Sequence, residues 1–384
     1  MMILNEQILS PLLKQTLEHL QIPVLKEADP VNCMAFFDSL TKEQRLLTNS
    51  ESGLSLLDTY CPDSNENQWS KLFKNKGQLR ALLSQMYPDY FYQVVTADNL
   101  LSLPVEKIPF PVVLKPTFGY SSVGVYKVKR KEEWEKAIHQ FEADVLLSEE
   151  IYDPSVVNQK TLLIEKWIQG EEYAVDGYYD EQGNPVVLSV FKRLFKDEYD
   201  TSDRIYYTSK QVIQEIYEQA YSFMAELQKL VPLQNYPIHF EIRKQGEIVI
   251  PIEINPLRFA GAGTTDLGYY AYGHNIYEQY FTQQKPDWKQ IIEDMDDSIY
   301  SFCCAEIPLA LSRGLVKAVD HEAFQKEFEH ILEYRPIQAA HDRTFAIVFF
   351  KSDNLDENHY ILQLDLEPFI DMQELKNREM EQVL

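Results

Sequence analysis

Apolar residues recur along this chain with two different spacings, and the switches between them mark its elements. Ile8, Leu12, Leu13, Leu17 and Leu20 fall on one face of a helix. A polar, turn-rich segment, 63–68 (DSNENQ), precedes a second helical pattern through Leu72, Leu79, Leu82, Leu83 and Met86, which Pro88 ends. From Pro109 the spacing changes. The apolar run Phe110–Leu114 and the alternating Val123, Val125 and Val128 predict two strands joined by a Gly/Ser loop, and Lys131–Phe141 predicts a helix packed back on them through Trp134, Ile138 and Phe141. Leu162–Ile168 reads as a strand, and Ala174–Tyr179 and Val186–Phe191 as a hairpin that turns at Glu181–Asn184. Lys196–Ser209 has no apolar periodicity and is predicted to be a mobile loop before the helix Val212–Leu230. Ile238–Arg243 and Glu247–Asn255 form a third strand pair around Lys244–Gly246, with Ile248, Ile250, Ile252 and Ile254 expected on its core face. Residues 285–384 add helices and the apolar strand Thr344–Phe350. Hairpins with helices packed on them imply an α/β or α+β fold.

Composition narrows the partners. The 384 residues are 45% hydrophobic and 25% charged, the balance of a folded enzyme-sized body. A formal net charge of -24 opposes phosphate backbones and anionic lipid surfaces, so nucleic acid and membranes are not expected as partners. No apolar run approaches the roughly 20 residues that span a bilayer. The start, MMILNEQILSPLLKQ, lacks a basic region followed by an apolar stretch and a cleavage site, so a cytoplasmic location is expected. Cys33, Cys61, Cys303 and Cys304 have no metal or redox spacing and read as reduced thiols.

Three segments carry candidate chemistry. In Val112–Val125 an apolar strand ends in Lys115 and leads into a loop containing Gly119, Ser121, Ser122 and Gly124. Glycines let backbone N–H groups approach oxyanions, hydroxyls add donors and a fixed lysine neutralises charge, which suits phosphate as well as a tight hairpin would. In Leu163–Tyr173 a strand breaks at Gly170 and presents Glu171 and Glu172. Glu241 and Glu253 lie on paired strands, with Asn255 two residues on and therefore on the same face as Glu253. Two carboxylates and an amide oxygen are hard ligands of the kind Mg²⁺ takes. A solvated sheet face would carry the same pattern.

In this order the three segments resemble the ATP-grasp superfamily from about Lys76 to His274. Glu165-Lys166-Trp167-Ile168 with Gly170 and Glu172 is especially similar to its D-alanine:D-alanine ligase and L-amino acid ligase branch, and Glu253-Ile254-Asn255-Pro256 is similar to its closing signature. The resemblance implies two α/β subdomains that clamp ATP. It assigns Lys115 and Lys76 to the phosphates, although Asn75 stands where the family has an acid. The loop Thr117–Gly124 becomes the lid, Glu165 takes the adenine amino group, the stretch Lys166, Trp167 and Ile168 edges the purine, and Glu172 takes the ribose. Lys192 resembles the lysine that approaches the γ-phosphate, with Arg193 as the alternative, and Glu241, Glu253 and Asn255 match the Mg²⁺ ligands. Leu257 intervenes before Arg258, whose charge suits a carboxylate, an acyl phosphate or a transferring phosphoryl group. Arg204, Thr264, Thr265 and Asp266 are the expected substrate contacts.

The expected activity is ATP-dependent amide or peptide bond formation between a small carboxylate, such as an amino acid, and an amine. An acyl phosphate forms on the way, and ADP and phosphate leave. Carboxylase-like or thiol-ligating chemistry and a non-catalytic ATP sensor are the alternatives. The expected layout is a reduced N-terminal α/β domain over 1–95, a small lid subdomain over 96–170, a large subdomain over 171–284 and a C-terminal α/β appendage over 285–384. That appendage is expected to cover the site, make homodimer contacts or complete the core.

Overall fold

A computed structural model describes residues 1–7, 9–28, 33–41, 43–118, 124–149, 161–198, 200–308, 310–337 and 343–373. The chain divides into two compact units, the first comprising Met1–Asn5, Pro23–Val186 and Gln219–Phe259, the second Glu6–Ile22, Val187–Glu218 and Ala260–Leu384.

The first unit holds three groups of strands. Val24–Lys26, Met2–Leu4 and Leu47–Thr48 form a small parallel sheet in that order. Tyr92–Thr96, Thr161–Lys166, Val112–Pro116 and Tyr126–Val128 form an antiparallel sheet in that order. Val112, Leu114, Leu162 and Ile164 pack on Trp134, Ile138 and Phe141 of the helix Trp134–Glu149. Alternation then turns Lys115 and Glu165 to the opposite face, because side chains along a strand change sides at every residue. Ile248–Pro256, Tyr236–Gln245 and Glu171–Tyr179 are antiparallel neighbours in that order.

Four sequence expectations are revised in detail. The second helical pattern is two helices, Asn65–Lys74 and Lys76–Leu83, because the Asn75 side chain accepts from the backbone N–H groups of Gly77 and Gln78, both at 3.1 Å, and starts a new helix. The supposed loop Lys196–Ser209 contains the strand Ile205–Thr208, buried throughout. A strand buried on both faces shows no alternation to detect. The helix Lys131–Phe141 starts as a 3₁₀ turn at Lys131–Glu133 before Trp134. The isoleucine face is broken by a bulge: Glu241 pairs with Glu253 but Ile242 with Pro251, leaving Ile252 as the extra residue. Val249, Pro251 and Ile254 are therefore buried, and Ile248 is exposed.

Gly170 ends the strand Thr161–Lys166 region at φ 115, with a Cβ there driven into the Lys244 carbonyl. Gly170→Ala is expected to destabilise the protein by about 1–3 kcal/mol, through strain and that clash. A lowered urea midpoint with an unchanged slope would register it.

In the second unit, Ile205–Thr208 pairs antiparallel with the end of Pro185–Leu194 and with Ile299–Glu306, which continues to Thr344–Ser352 and Ile331–Pro336. Its core is rich in phenylalanine, with Phe324 against Phe328, Phe345 and Phe369. The helix Pro11–His19, capped by Ser10, belongs to this unit, where Asn275 donates to Thr16 Oγ1 at 2.8 Å.

Candidate nucleotide and phosphate site

Antiparallel register places directly opposed residues on one face, so the strands Ile248–Pro256, Tyr236–Gln245 and Glu171–Tyr179 carry polar rows side by side. Asn255, His239 and Asp176 form one row, and Glu253 stands opposite Glu241 in the next. Arg243 stands opposite Glu172 in the third and donates to it from Nε at 2.9 Å. Asp176, fully buried, lies 2.8 Å from His239 Nδ1, and His239 Nε2 is 3.8 Å from Glu241. Burial disfavours a charged His239, but its bond to Asp176 and the nearby Glu241 outweigh that and raise its pKa to about 9. Its two carboxylate neighbours thus favour the protonated imidazole. His274, the other histidine near these segments, lies in the second unit, 3.2 Å from the Leu188 carbonyl.

Glu241 and Glu253 face each other at close range. Burial and the Glu253 charge push Glu241 up. Burial also acts to raise Glu253, but Lys76 and Lys74 outweigh it and hold that carboxyl well below its ordinary value. Lys76 Nζ is 3.4 Å from Glu253, and Asn255 Nδ2 donates to Glu253 at 3.1 Å. Among the described residues no three His, Cys, Asp or Glu side chains gather as a metal site. The two opposed carboxylates with the Asn255 amide oxygen are nevertheless a donor set that fits Mg²⁺, because a divalent cation would relieve the repulsion between the two acids.

The four-stranded antiparallel sheet contributes Lys115 and Glu165, both buried. Lys115 Nζ lies 2.5 Å from Glu165 Oε1, and Arg80 Nε pairs with Glu165 Oε2. Arg80 also donates to the Pro251 carbonyl at 2.6 Å and lies over the Tyr90 ring. Burial alone would raise Glu165, but Arg80 and Lys115 hold it at about 2. Burial in turn lowers Lys115, against the pull of Glu165. Glu165 is therefore the shared counterion of two cations. The expected purine edge is also engaged: the Lys166 carbonyl accepts from Tyr90 at 2.6 Å and the Ile168 carbonyl from Arg243 at 3.1 Å. Lys127 Nζ sits 2.8 Å from the centre of the Trp167 ring.

Leu257, at φ 56, turns the chain after Pro256 and is held by Pro237 and Thr48 backbone groups. This left-handed turn is what the extra residue before Arg258 does. It brings Arg258 Nε to Glu51 Oε1 at 3.0 Å. Neither Glu51 nor Lys74, which lies 2.7 Å from Glu51, belongs to a sequence motif, and their convergence had no linear signal.

The first unit thus brings together Lys76, Lys115, Glu165, Glu172, Glu241, Glu253, Asn255 and Arg258. Gly124, at φ 72, lies in the turn before the return strand Tyr126–Val128, where a Cβ would press on Pro116. Gly119, Ser121 and Ser122 lie outside the described residues. In the second unit, Lys192 pairs with Glu215 at 3.1 Å, while Arg193 donates to the Ser202 carbonyl at 2.7 Å and lies 3.4 Å from Asp203. The expected substrate contacts there have partners within the protein. Arg204 donates to the Leu362 and Leu364 carbonyls at 3.1 and 2.9 Å, and Thr264 to the Gly261 carbonyl at 2.8 Å. Thr265 is fully buried. Asp266, buried as well, accepts from Ser10 at 2.6 Å and Arg335 at 2.7 Å.

Residues 108–266 match the family described as ATP-grasp domain. That segment carries the ATP-grasp likeness. D-alanine–D-alanine ligases resemble it over a shorter stretch: that of Acinetobacter baumannii is 26% identical over 96 residues, 25% of this chain and 26% of the relative. The ligase of Acinetobacter baylyi is 30% identical over 22% of this chain and 23% of its own length. The match thus spans about a quarter of the curated relatives. Solved structures with the ATP-grasp architecture cover nearly all of it. L-amino acid ligase from Bacillus licheniformis covers 98% of both chains at 16% identity and a TM-score of 0.66. N5-carboxyaminoimidazole ribonucleotide synthetase from Thermotoga maritima covers 97% of this chain and 99% of its own at 12% identity and a TM-score of 0.61.

Proposed function

We propose that this protein is an ATP-grasp carboxylate–amine ligase, dependent on ATP and Mg²⁺ and acting on small molecules in the cytoplasm. The observation that carries the reading is the cationic edge formed by Lys115, Lys76 and Arg258 around the opposed Glu241 and Glu253. Phosphoryl transfer asks little covalent work of a protein and much neutralisation and alignment of charge. The site has those parts, and the reading requires no nucleophilic triad.

In the proposed reaction a substrate carboxylate oxygen attacks the γ-phosphorus and ADP leaves, giving an acyl phosphate. The amine nitrogen then attacks the acyl carbon, loses a proton and expels phosphate. Lys115 and Lys76 hold the polyphosphate, with Lys115 set by Glu165, and Glu172 faces the ribose. Arg258 neutralises the acyl phosphate. Glu241, Glu253 and Asn255 would hold Mg²⁺, which supplies charge neutralisation at the phosphate oxygens. The names of the similar proteins, an L-amino acid ligase and D-alanine–D-alanine ligases, favour an amino acid as the acid. Among the described residues no helix is long and apolar enough to cross a membrane.

The experiment is product analysis with MgATP and pooled amino acids or other small carboxylates, separating ADP from AMP and scanning for condensed masses. ADP and phosphate released only with an acid and an amine present are expected. AMP and pyrophosphate would overturn the acyl-phosphate route.

A further inference from the structure

Lys74 belongs to none of the motifs, yet it stands at the centre of the charged edge. It ends the helix Asn65–Lys74, and the Asn75 cap starts the next helix at once, so Lys74 and Lys76 reach the same edge from consecutive helices. Lys74 Nζ is 2.7 Å from Glu51 Oε2 and 3.4 Å from Asn255 Oδ1, and the other Glu51 oxygen accepts from Arg258. The cations therefore follow an order along the site: Lys115 on Glu165, Lys76 on Glu253, Lys74 on Asn255 and Glu51, Arg258 on Glu51. Under the ligase reading, the first two serve the nucleotide phosphates and the last the acyl phosphate. Lys74 lies between them, where the phosphoryl group crosses.

The Lys74 side chain is 21% exposed, and its surroundings differ from those of its helix neighbours. Lys71, one turn earlier on the same helix, makes an ordinary exposed pair with Asp58. The ammonium of Lys74 instead leans on a residue assigned to Mg²⁺, and its carboxylate partner is shared with Arg258.

We propose that Lys74 is a further catalytic cation of this site, contacting the phosphoryl group as it passes from ATP to the carboxylate, and that Glu51 is the positioning residue that holds Lys74 and Arg258 side by side. The inference rests on the ligase reading. Its physical content is preorganisation: one bidentate carboxylate fixes two cations in advance, so no reorganisation is needed as charge develops. Nothing bonds covalently to Lys74.

Calorimetry on the full chain with MgAMP-PNP and MgADP tests it. Lys74→Met is expected to weaken MgAMP-PNP by about tenfold or more and leave MgADP within about twofold, since only the former carries the terminal phosphoryl group. Lys74→Arg should recover most of the loss, and Lys71→Met should change neither. Glu51→Gln separates position from charge: removing an anion tightens MgAMP-PNP if charge alone matters, and loosens it if Glu51 aims the cations. Equal losses of both nucleotides in Lys74→Met, or no loss, overturn the role of Lys74. Tightening in Glu51→Gln overturns the role of Glu51. A wild-type chain that binds MgAMP-PNP but forms ADP with no acid and amine pair overturns the ligase reading itself, and one that binds neither nucleotide overturns both.

Discussion

Lys115→Met is expected to lower acid- and amine-dependent ADP formation by on the order of 10²–10³-fold, the usual cost of deleting one preorganised charge at a developing negative centre. Glu253→Gln should act as strongly, because it removes the carboxylate that faces Glu241 and pairs with Lys76. The two should fail differently. Methionine nearly matches the lysine stem in length, and its removal of charge leaves Glu165 paired with Arg80, so the fold should hold while MgATP affinity falls. Glu253→Gln relieves repulsion on Glu241 and should spare MgADP affinity relative to turnover, with the loss partly overcome by higher Mg²⁺. Steady-state ADP release and nucleotide titrations on both variants distinguish these patterns. Wild-type turnover in Lys115→Met would remove that lysine from the chemistry.

Glu165→Leu is expected to cost about 3–5 kcal/mol of stability, because it strands the Arg80 and Lys115 cations in a buried place. Replacing the whole group, as Glu165→Leu with Arg80→Leu and Lys115→Met, should recover much of that loss, since a buried ion cluster and an apolar cluster of similar volume are often nearly equal in stability. Urea midpoints of the single and triple variants make the comparison, and a mild single variant with no recovery would argue against the cluster. The same carboxyl predicts an acid response. Its folded pKa is depressed to about 2 from an ordinary 4.5, so its stabilisation is fully present above 4.5 and is lost as pH falls toward 2. Midpoints measured between pH 6 and pH 3 should fall in the wild type and fall less steeply in the triple variant.

Local patterns carried much of the architecture. The strand that carries Lys115, the break at Gly170 and the alternation in Tyr236–Gln245 were legible because each depends on neighbours a few residues away. The strand Ile205–Thr208 was not legible, since burial on both faces removes the alternation that identifies a strand. The bulge at Ile252 defeated a simple period-two reading, because one inserted residue reverses every side chain beyond it.

For the site, the sequence by itself determined the chemical types and their order: a lysine before a glycine loop, the Glu-Lys-Trp-Ile stretch, and two acids and an amide on a strand pair. The tertiary structure alone decided which charges answer which. Glu165 is read along the chain as a group open to a base, and folding hands it to Arg80 and Lys115. Glu51 precedes Arg258 by more than half the chain, yet the backbone bond from Thr48 to Leu257 at 2.8 Å draws the two segments together. Lys74 and Lys76 share an edge only because Asn75 restarts the helix between them. Such pairings are governed by long-range closure of the chain, for which linear spacing carries no signal, and by a buried charge's need for a partner in a place with little water.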